Sequence, residues 1–571
     1  MNTDKVSPVL LTMRKDRARM RRSTFARRYG RRGVVADPPS KPVRVVVIVE
    51  CDAEADFAHL LPYAIEVNQT KGGMRTAFLP LRMLARLSRE AAIHYIHPSE
   101  TLEPALDMAA KVTGLPALWA ATQLTGRGVL VGIIDTGFDP THPALRGRIL
   151  RVWDQTHPHG AGVAEGGYGQ ELRHSQEIEA SLGDSSGHGT HIAGIAAGLD
   201  AQYPGVAPGA ELLLVRSDLD AGHMIDGLEY IFRVAKELDR PAVINLSVDG
   251  PPGPSEGREP LCVKINELTG AGRIICCAAG NRGEHNIRAQ RVLSLGQTAV
   301  IPFRAGPGLG EIQIKGAYRR QNRVAVAIGL AAATSGFAAD GDAEKQALMA
   351  DVSAQFRELG SGSDFRAFII TISGNAVRRS GEWSLLLRGD AVVDVWLAGQ
   401  RSDGRKISKD DLAFDESLNS MKIGWPGSAA RAITVAAYTS RREWRDISGK
   451  LQARSTPLRT VSPFSSPGPL LNGQSKPDLA APGAWIISAL AAGTPAQNGA
   501  QIDQTHALRD GSSMATAFVS GLVALLLERD PTLDPERIKE LLRVRSAIPG
   551  RAPGAFDPAW GYGLPDLSKL V

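Results

Sequence analysis

Apolar runs that alternate with helical patterns constrain the fold of this chain more than any other feature. From residue 128 onward, near-continuous apolar runs of strand length recur between stretches of helical periodicity. The runs occupy residues 129–135, 211–216, 242–248, 273–280, 432–438 and 485–489. Strands that are apolar on both faces are typical of parallel sheets covered by helices on both sides. The pattern therefore predicts an α/β fold with a doubly wound parallel sheet.

Residues 285–421 interrupt this alternation. They contain little helical pattern, and their strand patterns alternate between polar and apolar residues. Short alternating strands separated by turn residues are typical of β-sandwiches. We therefore predict that this segment is a β-rich insertion into one α/β domain, whose two parts comprise residues 101–284 and 422–571.

Residues 43–100 form a separate and smaller α/β pattern. A β-branched run at 43–49 is followed by strand patterns at 74–79 and 92–97, with helical stretches between them. One further short strand in the middle would make this region a ferredoxin-like β-α-β-β-α-β unit.

The first 42 residues differ in charge from the rest of the chain. Residues 1–33 contain eleven Lys or Arg and two Asp, while the whole chain carries only +6, so the remainder is net acidic. We predict a basic disordered tail and linker over 1–42. The alternative is an arm that binds nucleic acid or an acidic partner. Nucleic acid is not the expected partner, because the body adds no basic surface.

The remaining composition excludes several classes of site and location. The four cysteines have no metal-ligand spacing, and we interpret them as buried reduced thiols. No metal or cofactor is predicted. No segment has about 18 consecutive apolar residues, and the apolar run at 9–11 is too short for a signal peptide. These features predict a cytoplasmic protein without a membrane partner. The cysteines are Cys51, Cys262, Cys276 and Cys277.

Three segments carry residues suited to nucleophilic catalysis. The sequence GIIDTG ends an apolar strand at Asp135, where ligands and catalytic groups gather in a parallel sheet. In GDSSGHGTH, two glycines flank His188 at the start of a predicted helix. In DGSSMATAF, Ser513 lies in the first turn of a long apolar helix, near its positive end.

Each segment also has a simpler interpretation. Ser512 and Ser513 are suitable helix caps. His188 and His191, three residues apart, could share a metal ion, although no further ligands follow at suitable spacing.

Together the three segments resemble those of the subtilase family, in which the order Asp, His, Ser distinguishes members from other serine hydrolases. The resemblance covers most of 101–284 and 422–571. It implies a serine endopeptidase in which Asp135 orients the imidazole, His188 is the general base and Ser513 is the nucleophile. All these positions are filled, which favours an enzyme over a catalytically silent binding protein with the same fold.

The resemblance also implies an oxyanion hole and a substrate cleft. Asn281, in the segment CAAGN, would donate its side-chain amide to the oxyanion. Two further segments would line the cleft and pair with a protein or peptide substrate. Where relatives have glycine this chain has Asp249, which either favours basic substrate side chains or points to solvent. The implied substrate-binding residues are Ser247, Val248, Asp249, Gly250, Ala278, Ala279 and Gly280.

Two other regions resemble parts of subtilase precursors. Residues 43–100 resemble the inhibitory propeptide, which would be the chain's own partner and would be cleaved near 98–105. Residues 285–421 resemble the jelly-roll insertion of one clostridial-type branch. The segment 199–205 is short where many relatives bind calcium, so no calcium is predicted.

Overall fold

The structure is a computed structural model. It describes residues 2–20, 24–25, 34–35, 42–69, 72–98, 107–157, 160–331, 333–340, 345–360, 362–377, 381–497 and 499–570. The chain divides into two compact units, Met1–Pro104 and Ala105–Val571.

The first unit is built on one antiparallel sheet. Arg44–Cys51 pairs with Met74–Pro80 on one side and with Ile93–Pro98 on the other, and Glu66–Val67 pairs with Met74–Pro80. The short strand required in the middle is therefore present, and this order is that of a ferredoxin-like unit. The short strand Val34–Val35 also pairs with Arg44–Cys51, and the helical turns Ala58–Tyr63, Leu81–Met83 and Leu84–Leu87 lie between the strands.

The prediction of a disordered tail is wrong for residues 2–20. A helix spans Pro8–Arg19, begins at the cap Ser7 and buries Leu10 and Met13 completely. Val6 forms a bridge to Ile96 of the sheet. The apolar residues at 10 and 13 share one helical face, a signal that the high density of Arg and Lys concealed. The basic residues Arg21, Arg22, Arg27, Arg28, Arg31 and Arg32 lie outside the described residues, as do 99–106, which hold most of the predicted cleavage region.

The second unit contains an eight-stranded sheet. All neighbouring strands are parallel except the last pair, in which a short edge strand is antiparallel. This confirms the predicted α/β class with a parallel sheet. Across the sheet the strands are Leu479–Ala484, Ile433–Thr439, Arg273–Ala278, Ala242–Leu246, Leu130–Asp135, Glu211–Arg216, Ile149–Asp154 and Gln170–Leu172.

Helices cover both faces of this sheet. Side chains of one parity, such as Ile133, pack with the helices His188–Ala197 and Ser512–Arg529. Those of the other parity, such as Ile134, pack with Ala221–Glu237 and Pro260–Leu268. The sheet is therefore doubly wound. The other helices of this unit are Asp107–Thr113, Leu115–Thr122, Ser175–Ser181, Gly374–Val377, Pro535–Arg543 and Leu567–Lys569.

Three strands of the sheet were not predicted, and one prediction was misplaced; the three are Ile149–Asp154, Gln170–Leu172 and Leu479–Ala484. In Ile149–Asp154 the charged Arg151 interrupts the apolar run, and Leu479–Ala484 is rich in Ala, Gly and Pro. The latter tolerates Pro because it is an edge strand. Residues 486–489 do form a strand, but Ile486–Ala489 pairs with His506–Arg509 outside the main sheet.

Residues 288–414 form two antiparallel sheets on one shared hydrophobic core. The first sheet contains, in order, Arg288–Leu293, Ala391–Arg401, Leu309–Arg319, Phe365–Ile372, Val352–Glu358 and Lys345–Met349. The second contains Ala333–Thr334, Val324–Leu330, Gly381–Gly389, Ala299–Ala305 and Leu412–Phe414, with Ala338–Ala339 on Val324–Leu330. Smaller two-stranded sheets join Glu443–Arg445 to Leu451–Ala453 and Ser546–Ala547 to Leu564–Pro565.

One helix among the described residues, Ser512–Arg529, is long and apolar enough to cross a membrane by length and composition. Its side chains are buried inside the protein over 89% of that window. It is the central helix of the core, which explains its apolar composition.

Candidate active site

The predicted site residues follow the carboxyl ends of three adjacent strands. Asp135 ends Leu130–Asp135, Ser247 follows Ala242–Leu246, and Asn281 lies just beyond Arg273–Ala278. Since these strands are parallel neighbours, their carboxyl ends meet at one edge of the sheet. The topology therefore gathers residues that lie far apart in the sequence.

The carboxylate of Asp135 is buried and fully engaged. His188 Nδ1 donates to Asp135 Oδ2 at 2.7 Å, and the backbone N–H of Thr136 donates to Oδ1 at 2.8 Å. The Asp135 side chain is 2% exposed and that of His188 is 27% exposed. A carboxylate acceptor at Nδ1 places the proton of the neutral imidazole on that nitrogen, which leaves Nε2 as a base.

The glycines on either side of His188 have separate structural causes. Gly187 has a φ of +65°, in the left-handed region that favours glycine. At Gly189 a Cβ atom would clash with the carbonyl oxygen of Gly137. The helix can therefore begin directly beside the strand that carries Asp135.

Asp184 positions the loop before His188, and the sequence analysis missed it. Its Oδ1 accepts from the Gly187 N–H at 2.7 Å, and its Oδ2 accepts from the Thr190 N–H at 2.9 Å and hydroxyl at 2.7 Å. This buried carboxylate thus satisfies donors of the first helical turn. An Asp shortly before a predicted helix was the available signal.

A second side chain holds the same loop from another element. Arg509 Nη2 donates to the carbonyl oxygen of Ser186 at 2.5 Å. Burial lowers the pKa of this guanidinium, and the nearby carboxylates of Asp184 and Asp135 oppose that shift. Arg509 therefore ties the His188 loop to the segment that leads into the helix of Ser513.

Ser513 lies in the first turn of the helix Ser512–Arg529 and is 8% exposed. Its Oγ donates to the carbonyl oxygen of Ser247 at 3.2 Å, and Ser247 Oγ donates back to the Ser513 carbonyl at 3.0 Å. Among the hydrogen bonds of the described residues, none joins Ser513 Oγ to His188. The structure thus brings Asp135 and His188 into direct contact and directs the serine hydroxyl to the Ser247 carbonyl.

Asn281 is fixed against the same helical turn. Its Oδ1 accepts from the Ser512 N–H at 2.8 Å and from the Ser512 hydroxyl at 3.0 Å. Because these two donors occupy the oxygen, the amide nitrogen Nδ2 is the free end of the side chain. A Cβ built at Gly511 would lie 3.4 Å from that nitrogen, so the amide is directed toward the turn before Ser513.

His191 has a structural role in this geometry. Its Nε2 bonds with the carbonyl oxygen of Ala507 at 3.2 Å, and the ring is completely buried. Burial lowers the pKa of His191 to about 3, so the ring is neutral. His191 therefore joins the helix His188–Ala197 to the strand His506–Arg509, which precedes Ser513.

The expectation that Asp249 points to solvent is wrong. Its side chain is only 19% exposed, and its Oδ2 forms an ion pair with Arg282 Nη1. The same oxygen would lie 2.6 Å from a Cβ built at Gly280. Burial raises the pKa of the Asp249 carboxyl, and Arg282 opposes that shift. This partner could not be read from the sequence.

The other predicted cleft residues are held by backbone hydrogen bonds. The Gly250 N–H donates to the carbonyl of Trp425 at 2.8 Å, and the Ala279 N–H donates to the carbonyl of Val435 at 3.0 Å. The Gly280 N–H donates to Ser512 Oγ at 3.1 Å, which ties this wall to the helix of Ser513. Val248 is partly buried, whereas Ala278 is almost fully buried.

Comparison with protein families gives one match to this part of the chain. The model of the subtilase family (Peptidase_S8) matches residues 126–563. This range contains the positions of Asp135, His188, Asn281 and Ser513.

Known proteins are similar over shorter stretches. Serine protease AprX of Bacillus subtilis (strain 168) is 30% identical over 193 residues, which are 33% of this chain and 39% of that protein. The major intracellular serine protease of the same organism is 30% identical over 190 residues, 32% of this chain and 51% of that protein. The match thus spans about half or less of the length of these relatives.

A solved structure of the Clostridium perfringens CspB protease is similar in fold. It aligns with a TM-score of 0.66 and 22% identity, covering 80% of this chain and 95% of that chain. At this identity the likeness concerns the fold alone.

Proposed function

The chain belongs to the subtilase family, and we propose that it is a serine endopeptidase that hydrolyses peptide bonds through Asp135, His188 and Ser513. The hydrogen bond of 2.7 Å between His188 Nδ1 and the buried Asp135 carboxylate carries this proposal. A buried carboxylate on one ring nitrogen and a serine at a nearby helix N-terminus are the parts that acyl transfer requires.

His188 acts as the general base in the proposed reaction. Its Nε2 takes the Ser513 proton while Oγ attacks the peptide carbonyl, and the same proton later passes to the leaving amine. Asp135 holds the ring and stabilises the imidazolium. Ser513 Oγ must first leave the Ser247 carbonyl and turn toward His188 Nε2. Water then releases the acyl group from Ser513 by the reverse sequence.

Two donors stabilise the oxyanion in this proposal. The Asn281 amide is one, because its oxygen is held by Ser512 and its nitrogen is free. The other is the backbone N–H of Ser513, which lies in the first helical turn, where amides have no intrahelical acceptor. Donors fixed in advance need no reorganisation when charge develops.

The substrate would lie extended between the walls formed by residues 247–250 and 278–280. Both segments follow strand ends at the edge of the sheet that carries the catalytic groups. Protein or peptide chains are the proposed substrates, because an extended backbone can pair with such segments.

We also propose that the chain is a precursor with two additions to the catalytic domain. Residues 43–100 act as a propeptide that is removed by cleavage near 98–105, and their ferredoxin-like strand order supports this. Residues 285–421 form a jelly-roll insertion, supported by two antiparallel sheets on one core. A cytoplasmic location agrees with similarity to two proteases named as intracellular.

Labelling of the full chain with a fluorophosphonate probe tests the catalytic proposal. We expect the probe to modify Ser513, as identified by peptide mapping, and to be absent from Ser513→Ala. Ser546→Ala is the matched control, since Ser546 is a buried serine in the short strand Ser546–Ala547 whose hydroxyl donates to the Leu542 carbonyl. Labelling elsewhere, or no labelling and no peptide hydrolysis, would point to a catalytically silent protein.

N-terminal sequencing of the same samples tests the precursor proposal. Wild-type protein should acquire a new N-terminus near residue 100, and Ser513→Ala should keep its original one. A wild type that labels with the probe but stays full length would contradict self-processing without affecting the catalytic proposal.

A further inference from the structure

We propose that a cavity between the α/β part of the second unit and the insertion binds a small tetrahedral oxyanion, phosphate or sulfate, through Lys315 and Arg357. Among the described residues that line this cavity, none belongs to either predicted wall of the substrate cleft, 247–250 or 278–280. The site is therefore not the substrate cleft, and the inference does not depend on the proposed catalysis.

Two parts of the second unit enclose the cavity. One side is formed by residues between 251 and 259, together with Gly424 and Trp425, and the other by strands of the insertion. The volume is about 90 Å³. Because a water molecule takes up about 30 Å³ in the liquid, the cavity can hold about three waters or one small oxyanion.

The register of the insertion's first sheet places both cations on the same face. Lys315 pairs with Ile369 on one side of the strand Phe365–Ile372. Arg357 pairs with Ala367 on the other side of that strand. Positions 367 and 369 are two residues apart and share a face, and directly opposed residues of an antiparallel pair share it too. Lys315 and Arg357 therefore lie on the face that lines the cavity, with the small side chain of Ala367 between their strands.

Neither cation has a partner that neutralises it. Among the described residues, none forms an ion pair or a hydrogen bond with the side chain of Lys315 or Arg357. Lys315 is packed against the opposite side of the cavity, since a Cβ built at Gly253 would lie 2.9 Å from its Cδ. Burial lowers the pKa of Lys315 to about 8, and Arg357 and Arg282 add to this effect. Because a buried charge is costly unless it is paired, an anion between the two cations would be stabilised by both.

The acidic groups near Lys315 do not fill this role. Glu311 opposes the pKa shift of Lys315 but forms no ion pair with it. Glu259 also lines the cavity, but its Oε1 accepts from the Ser255 hydroxyl at 2.7 Å and its Oε2 is buried. Arg282 is already paired with Asp249. The charge open to a ligand in the cavity is therefore positive.

The two side chains differ in a way that suits a tetrahedral oxyanion. The guanidinium of Arg357 offers several N–H donors in a planar fork, which can bind two oxygens of one anion. The ammonium of Lys315 is a compact charge with three donors, which can bind a third oxygen. Recognition by these groups requires acceptor oxygens and negative charge, which phosphate and sulfate both supply.

Calorimetric titration of the full chain with sodium phosphate or sodium sulfate, at constant ionic strength, tests the site. The protein carries Ser513→Ala, so that self-cleavage cannot change the sample. We expect one anion per chain with a Kd below about 1 mM, and the anion with the lower Kd is the one that the site prefers. Lys315→Gln and Arg357→Gln should each weaken binding by at least about tenfold, because each removes a charge-assisted hydrogen bond.

The pH dependence of sulfate binding tests the part played by Lys315. Sulfate keeps its charge between about pH 6.5 and about pH 9.5, so a change in its affinity reports on the protein. Lys315 binds an anion only when it is protonated, so affinity should be highest below about pH 8 and fall at least tenfold by about pH 9.5. An affinity that stays constant over this range would overturn the assignment of Lys315.

Arg304→Gln is the matched control, because Arg304 forms an exposed ion pair with Asp415 elsewhere in the insertion. Its Kd should equal that of the parent protein. The inference is overturned if the parent protein binds neither anion at up to about 50 mM, a result that needs no variant to fold. It is also overturned if Lys315→Gln and Arg357→Gln, shown to be folded by urea denaturation, bind as tightly as the parent. Failure of the proposed catalysis would instead appear as unlabelled Ser513 with anion binding intact.

Discussion

The α/β part of the second unit and its β-rich insertion differ in how far apart in the sequence their paired strands lie. In the parallel sheet, Leu130–Asp135 lies beside Ala242–Leu246, a strand more than 100 residues away. In the insertion, Val352–Glu358 pairs with Phe365–Ile372 across a short connection. Parallel strands need long crossovers, whereas antiparallel strands are joined by hairpins.

This difference also separates the polar groups of the two parts. Beside the parallel sheet, the buried carboxylate of Asp135 accepts from His188, which lies 53 residues away in the sequence. In the insertion, several ion pairs are exposed, including Arg304 with Asp415 and Arg320 with Glu358. Reactive geometry therefore depends on the parallel sheet, and changes in the two parts should have unequal effects.

The largest expected difference in kcat is between two Asp→Asn substitutions, one in the α/β part and one in the insertion. Asp135→Asn should lower kcat by about 10⁴-fold, because the amide stabilises the wrong imidazole tautomer. Asp415→Asn, on the exposed surface of the insertion, should leave kcat unchanged. Steady-state hydrolysis of a peptide substrate measures both. A loss of less than tenfold in Asp135→Asn would contradict the assigned role.

A smaller effect is expected from removing one amide donor. Asn281→Asp keeps an oxygen for Ser512 but loses the donor to the oxyanion, so kcat should fall by about 10²–10³-fold with little change in KM. Asn286→Asp is the matched control, because Asn286 Oδ1 accepts only from the exposed Ser417 hydroxyl. Equal kcat in the two variants would remove Asn281 from the mechanism.

Because the residues near the site are closely packed, a methyl group added there should lower the free energy of unfolding. In Gly189→Ala the new methyl group would meet the Gly137 carbonyl, which is backbone and cannot move cheaply. The free energy of unfolding should fall by about 1–3 kcal/mol. Gly336→Ala in the insertion has open space around its Cβ position and should change it by less than about 0.5 kcal/mol. Urea denaturation measures the free energy of unfolding of both variants. Equal losses in the two variants would show that the site tolerates the extra methyl group.

The smallest effect is expected from an exposed ion pair of the insertion. Arg320 and Glu358 have side chains that are 53% and 46% exposed. Arg320→Ala should lower the free energy of unfolding by less than about 1 kcal/mol, and less at high salt. Urea denaturation at two salt concentrations measures this. A larger loss that persists in salt would mean that the insertion also depends on its charges.

Local sequence patterns were sufficient for most of the α/β elements, whereas the roles of the candidate site residues came from the family resemblance and stay predictions. Apolar runs predicted Leu130–Asp135 and Glu211–Arg216 almost to their ends, because strands buried on both faces are apolar throughout. The pattern failed for Ile149–Asp154, where Arg151 interrupts the apolar run, and for Leu479–Ala484, whose small residues have low β-propensity. Their places in the sheet depend on their neighbours.

The sequence by itself determined the fold class and the residue types of the site. The periodicity of apolar residues reflects which faces of an element are buried, and the glycines beside His188 reflect local backbone constraints. Both features can therefore be recognised in the sequence. Only the tertiary structure decided that Arg509 holds the His188 loop and that Arg282 pairs with Asp249. These contacts join residues on separate elements, and their partners depend on how strands and loops meet in space.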